Sequence, residues 1–119
     1  MPFKTRYVFV VSMDVEPEKE ALFNEVYDTE HVPELLKVPG VLAVSRSRKQ
    51  SASLAIGGGK RVIGEGEPGY IAFYEIESPD IPSSDAWSKA SETGRWAEEV
   101  RPYTHNRHHA IHEITVSAP

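Results

Sequence analysis

Cysteine is absent from the 119 residues, which excludes disulfides, thiolate metal sites and a thiol nucleophile. Basic charge is scarce as well: 13 Lys and Arg stand against 18 Asp and Glu, a formal net charge of −5, and the cations are scattered among acids. With no basic stripe to neutralise phosphates, neither nucleic acid nor an acidic membrane surface is an expected partner. No apolar run reaches the length of a membrane span, and no charged-then-apolar leader is visible. The expectation is a soluble, cytoplasmic protein whose residues 1–119 form a single domain, long enough to bury on the order of two-thirds of its unfolded surface.

What is present is organised around Leu22 to Val41. Leu22, Phe23, Val26 and Tyr27, then Leu35 and Leu36, recur three and four apart, the helical period, and His31 extends the Tyr27 stripe by one step. Val32 precedes Pro33 and is biased out of the α region, so the spacing predicts a helix that ends or bends at Glu30 to Val32. Pro39-Gly40 stops it. Upstream, Tyr7 to Val11 reads as a strand apolar on both faces, hence central. Val41 to Arg48 alternates with a polar second half, which predicts an outer strand with Leu42, Val44, Arg46 and Arg48 on one side.

Residues 49–69 are rich in Ser, Gly and charge, and a small protruding hairpin or a flexible insertion loop fits them equally well. Gly64, Gly66 and Gly69 spell G-x-G-x-x-G, but a strand follows rather than a helix, and Glu65 and Glu67 would repel a pyrophosphate. Tyr70 to Ile76 is a second strand apolar on both faces. Ser83 or Ser84 then caps a helix whose buried side is marked by Trp87, Ala90, Ala97 and Val100, bent at Gly94 and stopped by Pro102. Asn106 to Val116 reads as another outer strand. The order βαββαβ implies a ferredoxin-like α+β sandwich, a four-stranded antiparallel sheet with two helices on one face. The uncovered sheet face would be an apolar patch, and a second copy of the chain is its simplest cover.

Tyr27-Asp28-Thr29-Glu30-His31-Val32-Pro33, followed by Pro39-Gly40-Val41 and Ser45-Arg46-Ser47-Arg48, resembles the EthD-like branch of the dimeric α+β barrel superfamily, over roughly residues 7 to 116. The resemblance implies a homodimer whose sheets face each other as a barrel, with an internal ligand cavity in each subunit. It does not select the ligand, because that superfamily spans cofactor-free monooxygenases, lactone isomerases, polyketide cyclases, haem enzymes and proteins of no known activity.

His31 is the candidate catalytic residue: at the carboxyl end of a helix, near Asp28, Glu30 and Glu34, it is placed for proton transfer with a pKa near neutrality. The competing reading is a histidine that caps the helix end or hydrogen-bonds a strand. Tyr27, one turn earlier, offers a phenol to the same cavity, although aromatics at helical spacing are usually core. Arg46 and Arg48 are candidate ligand-binding residues for an anion at the cavity mouth, against the plainer reading of an exposed strand end. Tyr74 and Trp87 favour packing over recognition and complete the candidate ligand-binding set. The imidazole of His31 is expected on the sheet face away from the helices, or at the cavity mouth.

His105, His108, His109 and His112 would share one face of a helix as a metal constellation. On the predicted strand, His108 and His109 point to opposite faces, and His108 and His112 lie about 13 Å apart, so neither a metal nor any other cofactor is expected. Three function classes follow. The first is a small cofactor-independent enzyme acting by acid/base chemistry on an apolar carbonyl or aromatic compound. The second is a non-catalytic ligand-binding or stress-associated module, and the third a purely structural homodimer.

Overall fold

The computed structural model describes residues 3–119. The strands run β1 (Tyr7–Val15), β2 (Val41–Arg48), β3 (Ala52–Ile56), β4 (Gly59–Ile63), β5 (Tyr70–Ile76) and β6 (Thr104–Glu113). Four of them form an antiparallel sheet of order β2-β5-β1-β6, so the two stretches apolar on both faces are the central strands, as their composition requires. The fold is the expected ferredoxin-like α+β sandwich. Pairing of Phe9 with Tyr74, Val11 with Ala72 and Met13 with Tyr70 puts these residues on one face, where they share a core with Phe23, Val26, Tyr27, Leu35, Trp96 and Val100 from the helical layer.

The first helical segment starts with a turn at Pro17–Lys19 and continues as α1 (Glu20–Val26), a π-helical turn at Tyr27–His31 and α2 (Val32–Leu36). It bends where the sequence predicts but does not end there, because Val32 stays helical despite preceding Pro33. The wide turn accommodates this: the Val32 amide donates to the Tyr27 carbonyl, five residues back. The second segment begins at Ser84, whose Oγ accepts the Trp87 amide at 3.2 Å, and forms α3 (Asp85–Ser91). Gly94, at φ +80°, breaks it. A second π-helical turn at Trp96–Val100 buries Trp96 and Val100 and leaves Ala97 only half-buried. The expected burial of Val100 holds and that of Ala97 is corrected, because the turn after Gly94 puts Trp96 rather than Ala97 on the buried side.

Residues 52–63 form a hairpin: β3 and β4 pair around Gly57 and Gly58, whose positive φ angles of +60° and +82° suit a tight two-residue turn. The hairpin stands clear of the main sheet, and Leu54, Ile56, Val62 and Ile63 are exposed. In β6, His108 lies opposite Ser12 and His109 opposite Val11, on the two faces of the sheet.

Gly40 joins the helical layer to β2 at φ +93°, and a Cβ built there would sit 2.3 Å from Ile81 Cδ1. Because the Ile81 tip can yield, backbone strain dominates the cost of a side chain there. Gly40→Ala is expected to lower stability by about 1–2 kcal/mol. Urea unfolding checks this, and an unchanged midpoint would contradict it.

Candidate functional site

His31 closes the first π-helical turn and is 6% exposed. Its ring stacks on Trp96 at 4.3 Å and 19°, and the Tyr27 ring stands perpendicular to it with centroids 5.0 Å apart. Nδ1 is buried without a hydrogen-bond partner, and the side chain makes no cap bond, so the capping explanation fails. The acidic neighbours turn away: Asp28 pairs with Arg46, Glu30 with Arg95 and Glu34 with Lys37. Desolvation prevails, Arg101 adds repulsion, and the attraction of Glu92 does not offset them. The pKa is lowered to about 4. The expected near-neutral value is corrected accordingly.

The imidazole lines a cavity of about 170 Å³ between the sheet and the helical layer. This is the opposite side of the sheet from the expected one: the uncovered face lies away from the helices, whereas His31 projects from the helical layer onto the covered face. Phe9, Val11 and Met13 form the strand wall, Tyr27 and Tyr74 a polar corner, and Trp87, Ser91 and Trp96 the helical wall. Arg101, Arg107 and His109 complete it.

Four sequence candidates thus meet at one cavity, His31, Tyr27, Tyr74 and Trp87. The phenols of Tyr27 and Tyr74 lie 2.8 Å apart, both buried. Burial raises both pKa values, so each keeps its proton. Two hydroxyls joined by one hydrogen bond retain one O–H for a further acceptor.

Arg46 and Arg48 lie elsewhere. They line a separate open depression with Asn24, Asp28 and Tyr70, and the expected place at the mouth of the histidine cavity is corrected. Arg46 is not an exposed strand end either, its side chain being 15% exposed. It donates to Asp28 Oδ1 at 2.5 Å and Asn24 Oδ1 at 3.0 Å, and its Cζ stands 4.3 Å above the Tyr27 ring. Its place on the strand follows from β2 alternation, which puts Arg46 opposite Ala72 on the covered face.

The sequence reading missed Trp96, Arg101, Arg107 and His109. The signal for the last two was available in the alternation of β6, where Arg107, His109 and Ile111 share a side with Phe9 and Val11 across the pairing. Trp96 is held over His31 by a clasp between the preceding residues: the Arg95 amide donates to Glu30 Oε1 at 2.9 Å and its Nε to Glu30 Oε2 at 2.7 Å. A Cβ on Gly94 would lie 2.7 Å from Glu30 Oε1, so the clasp also favours glycine there. Among the described residues, no group of three or more His, Asp and Glu is disposed to hold a metal ion. Nor is any helix of these residues long and apolar enough to cross a membrane.

A folded pKa of about 4 against an ordinary 6.5 means that, as pH falls below 6.5, the unfolded chain takes up this proton first. The stability that depends on neutral His31 is therefore complete above pH 6.5 and lost as pH falls toward 4. It amounts to on the order of 3 kcal/mol. His31→Phe, which keeps an aromatic ring on Trp96, should lack that portion of the acid slope. Urea midpoints measured from pH 7 to pH 4 test this, and parallel curves for the two proteins would refute it.

No protein-family model and no curated protein matches the chain. A solved structure does: that of an ethyl tert-butyl ether d (EthD) family protein from Bacillus halodurans C-125, at 15% identity and a TM-score of 0.58, with 91% of this chain and 98% of that one covered. At that identity the likeness concerns architecture, and the conclusion it supports is that this chain has an EthD-like fold.

Proposed function

We propose that the protein is a cofactor-independent enzyme that moves a proton on an aromatic or carbonyl compound held in the His31 cavity. The observation that carries this reading is the imidazole itself: buried, held neutral by desolvation, at the wall of a cavity lined by aromatic rings. A neutral imidazole can accept a proton from a C–H beside a carbonyl or from a phenolic O–H. The negative charge then left on the ligand oxygen would be met by the spare Tyr27–Tyr74 O–H and by the new imidazolium. Desolvation, which disfavours the imidazolium in the empty site, is offset once an anion forms beside it. Monooxygenase, isomerase and cyclase chemistries share this first step.

The same geometry also suits ligand binding without turnover, and the low basicity of His31 favours that second reading. Hydrogen exchange separates them. In D₂O, α-hydrogen exchange of a small aryl ketone such as acetophenone should be accelerated by the protein and lose on the order of 100-fold of that acceleration in His31→Gln. Glutamine is preferred to alanine because truncation would open a void under Trp96. Binding without acceleration would select the non-catalytic module.

The protein acts in this reading as a cytoplasmic homodimer. In support, the sheet face away from the helices carries Val10, Ile71 and Phe73 on its central strands, each only half-buried. A facing copy would cover them. Sedimentation at micromolar concentration should show twice the chain mass, and a species of one chain mass alone would defeat this assignment.

A further inference from the structure

The cavity also has features that bear on the class of ligand. Its volume of about 170 Å³ is close to that of an engineered apolar cavity of roughly 150 Å³ that holds one benzene ring, so a single ring fits within it. Aromatic side chains face that space from both layers: Phe9 and Tyr74 from the sheet, Trp87 and Trp96 from the helical layer. Flat walls of this kind accept a flat ring by offset stacking or edge contact.

The charge on the lining has one sign. Among the described residues no Asp or Glu borders the cavity, whereas Arg101 and Arg107 both do. The two arginines are not equivalent. Arg101 is committed, donating through Nη1 and Nη2 to the two carboxylate oxygens of Glu92, and through Nη2 to the Ser91 carbonyl. Arg107 makes no side-chain hydrogen bond or ion pair among the described residues; the acids nearest the site are already taken, Glu92 by Arg101 and Glu30 by Arg95. Its neighbour on the same side of β6 is His109, stacked on Phe9 at 6.1 Å, and burial together with the Arg107 charge lowers the pKa of that histidine. The rim therefore presents one uncommitted guanidinium beside a neutral imidazole.

We propose that the ligand of this cavity is a single-ring aromatic compound carrying one anionic substituent of the carboxylate type, with its ring between the aromatic walls and its charge at Arg107. The planar guanidinium suits a planar carboxylate, to which it can donate two parallel hydrogen bonds. This assignment rests on the reading of the His31 cavity as the functional site and narrows it: with the anion anchored at the rim, the ring extends inward toward the walls that hold His31 and Tyr27.

The chain contains two tryptophans, and both line the cavity, so their indole N–H signals in ¹⁵N-correlated NMR report directly on occupancy. The probes are benzoate and its neutral isostere benzamide at pH 7. Both indole signals are expected to move with either compound, with benzoate binding at least tenfold more tightly. Arg107→Gln, a change at an exposed residue, should bring benzoate down to the affinity of benzamide and leave benzamide unaffected. Equal affinities in the wild type, or a benzoate affinity indifferent to Arg107→Gln, would overturn the anionic assignment while leaving the cavity as a binding site. If neither probe moves either indole signal, the reading of the cavity as a ligand site fails, and this assignment fails with it.

Discussion

The clasp between Glu30 and Arg95 is the constraint on which the site depends. It ties the π-helical turn at residues 27–31 to the segment that follows α3, two parts of the chain separated by 65 positions. Each partner sits next to a residue of the site, Glu30 before His31 and Arg95 before Trp96, so holding the pair aligns the stack of imidazole on indole. Backbone and side chain take part together: one carboxylate oxygen accepts an amide and the other a guanidinium, with Glu25 receiving a further arm of Arg95. An amide contact fixes the main chain, which a side-chain ion pair between two flexible residues would not do. Gly94 belongs to the same device, since its left-handed conformation turns the chain and its missing Cβ leaves room for the carboxylate.

Much of this architecture was legible because it rests on patterns that local chemistry enforces. Tyr7 to Val11 and Tyr70 to Ile76 read as central strands, since a run apolar on both faces over its length suits the middle of a sheet better than its edge. His31 stood out because it continues the Tyr27 stripe at a spacing of four. The illegible parts arise where periodicity is interrupted. Extrapolating the second helix through Gly94 placed Ala97 in the core. Beyond the break Val100 is buried as expected, but its buried companion is Trp96, the indole on which His31 stacks, rather than Ala97. The side of the sheet on which the cavity lies was illegible for another reason. It depends on whether two helical segments fill the space above the sheet, and here they do not fill it completely.

At His31, charges close in sequence proved a poor guide to charges close in space. Asp28, Glu30 and Glu34 lie within three positions of it, yet each is drawn outward by a cation from another element or the next turn: Arg46 on β2, Arg95 after α3, Lys37 on the following turn. What faces the imidazole instead is aromatic carbon, with Arg101 as the strongest charge. Removal from water then costs the charged form more than the attraction of Glu92 returns. The outcome is a base that is free of its proton throughout the neutral range, although a weak one.

The arginine on β2 has a place in this site without lining its cavity. The Cζ of Arg46 stands over Tyr27, with Phe23 and Tyr70 at 5.3 and 5.7 Å from it, and Asp28 and Asn24 accept from its Nη1 and Nη2. Its positive charge opposes the effect of burial on the Tyr27 phenol, and on Tyr74 beyond it, in each case lowering a pKa that desolvation raises. A phenol so placed is a stronger hydrogen-bond donor than burial alone would leave it. Asp28, by pairing with Arg46, both removes a carboxylate from the neighbourhood of His31 and fixes the cation that acts on Tyr27. The basicity of the imidazole and the acidity of the phenol pair are thus linked through one ion pair on the far side of the Tyr27 ring.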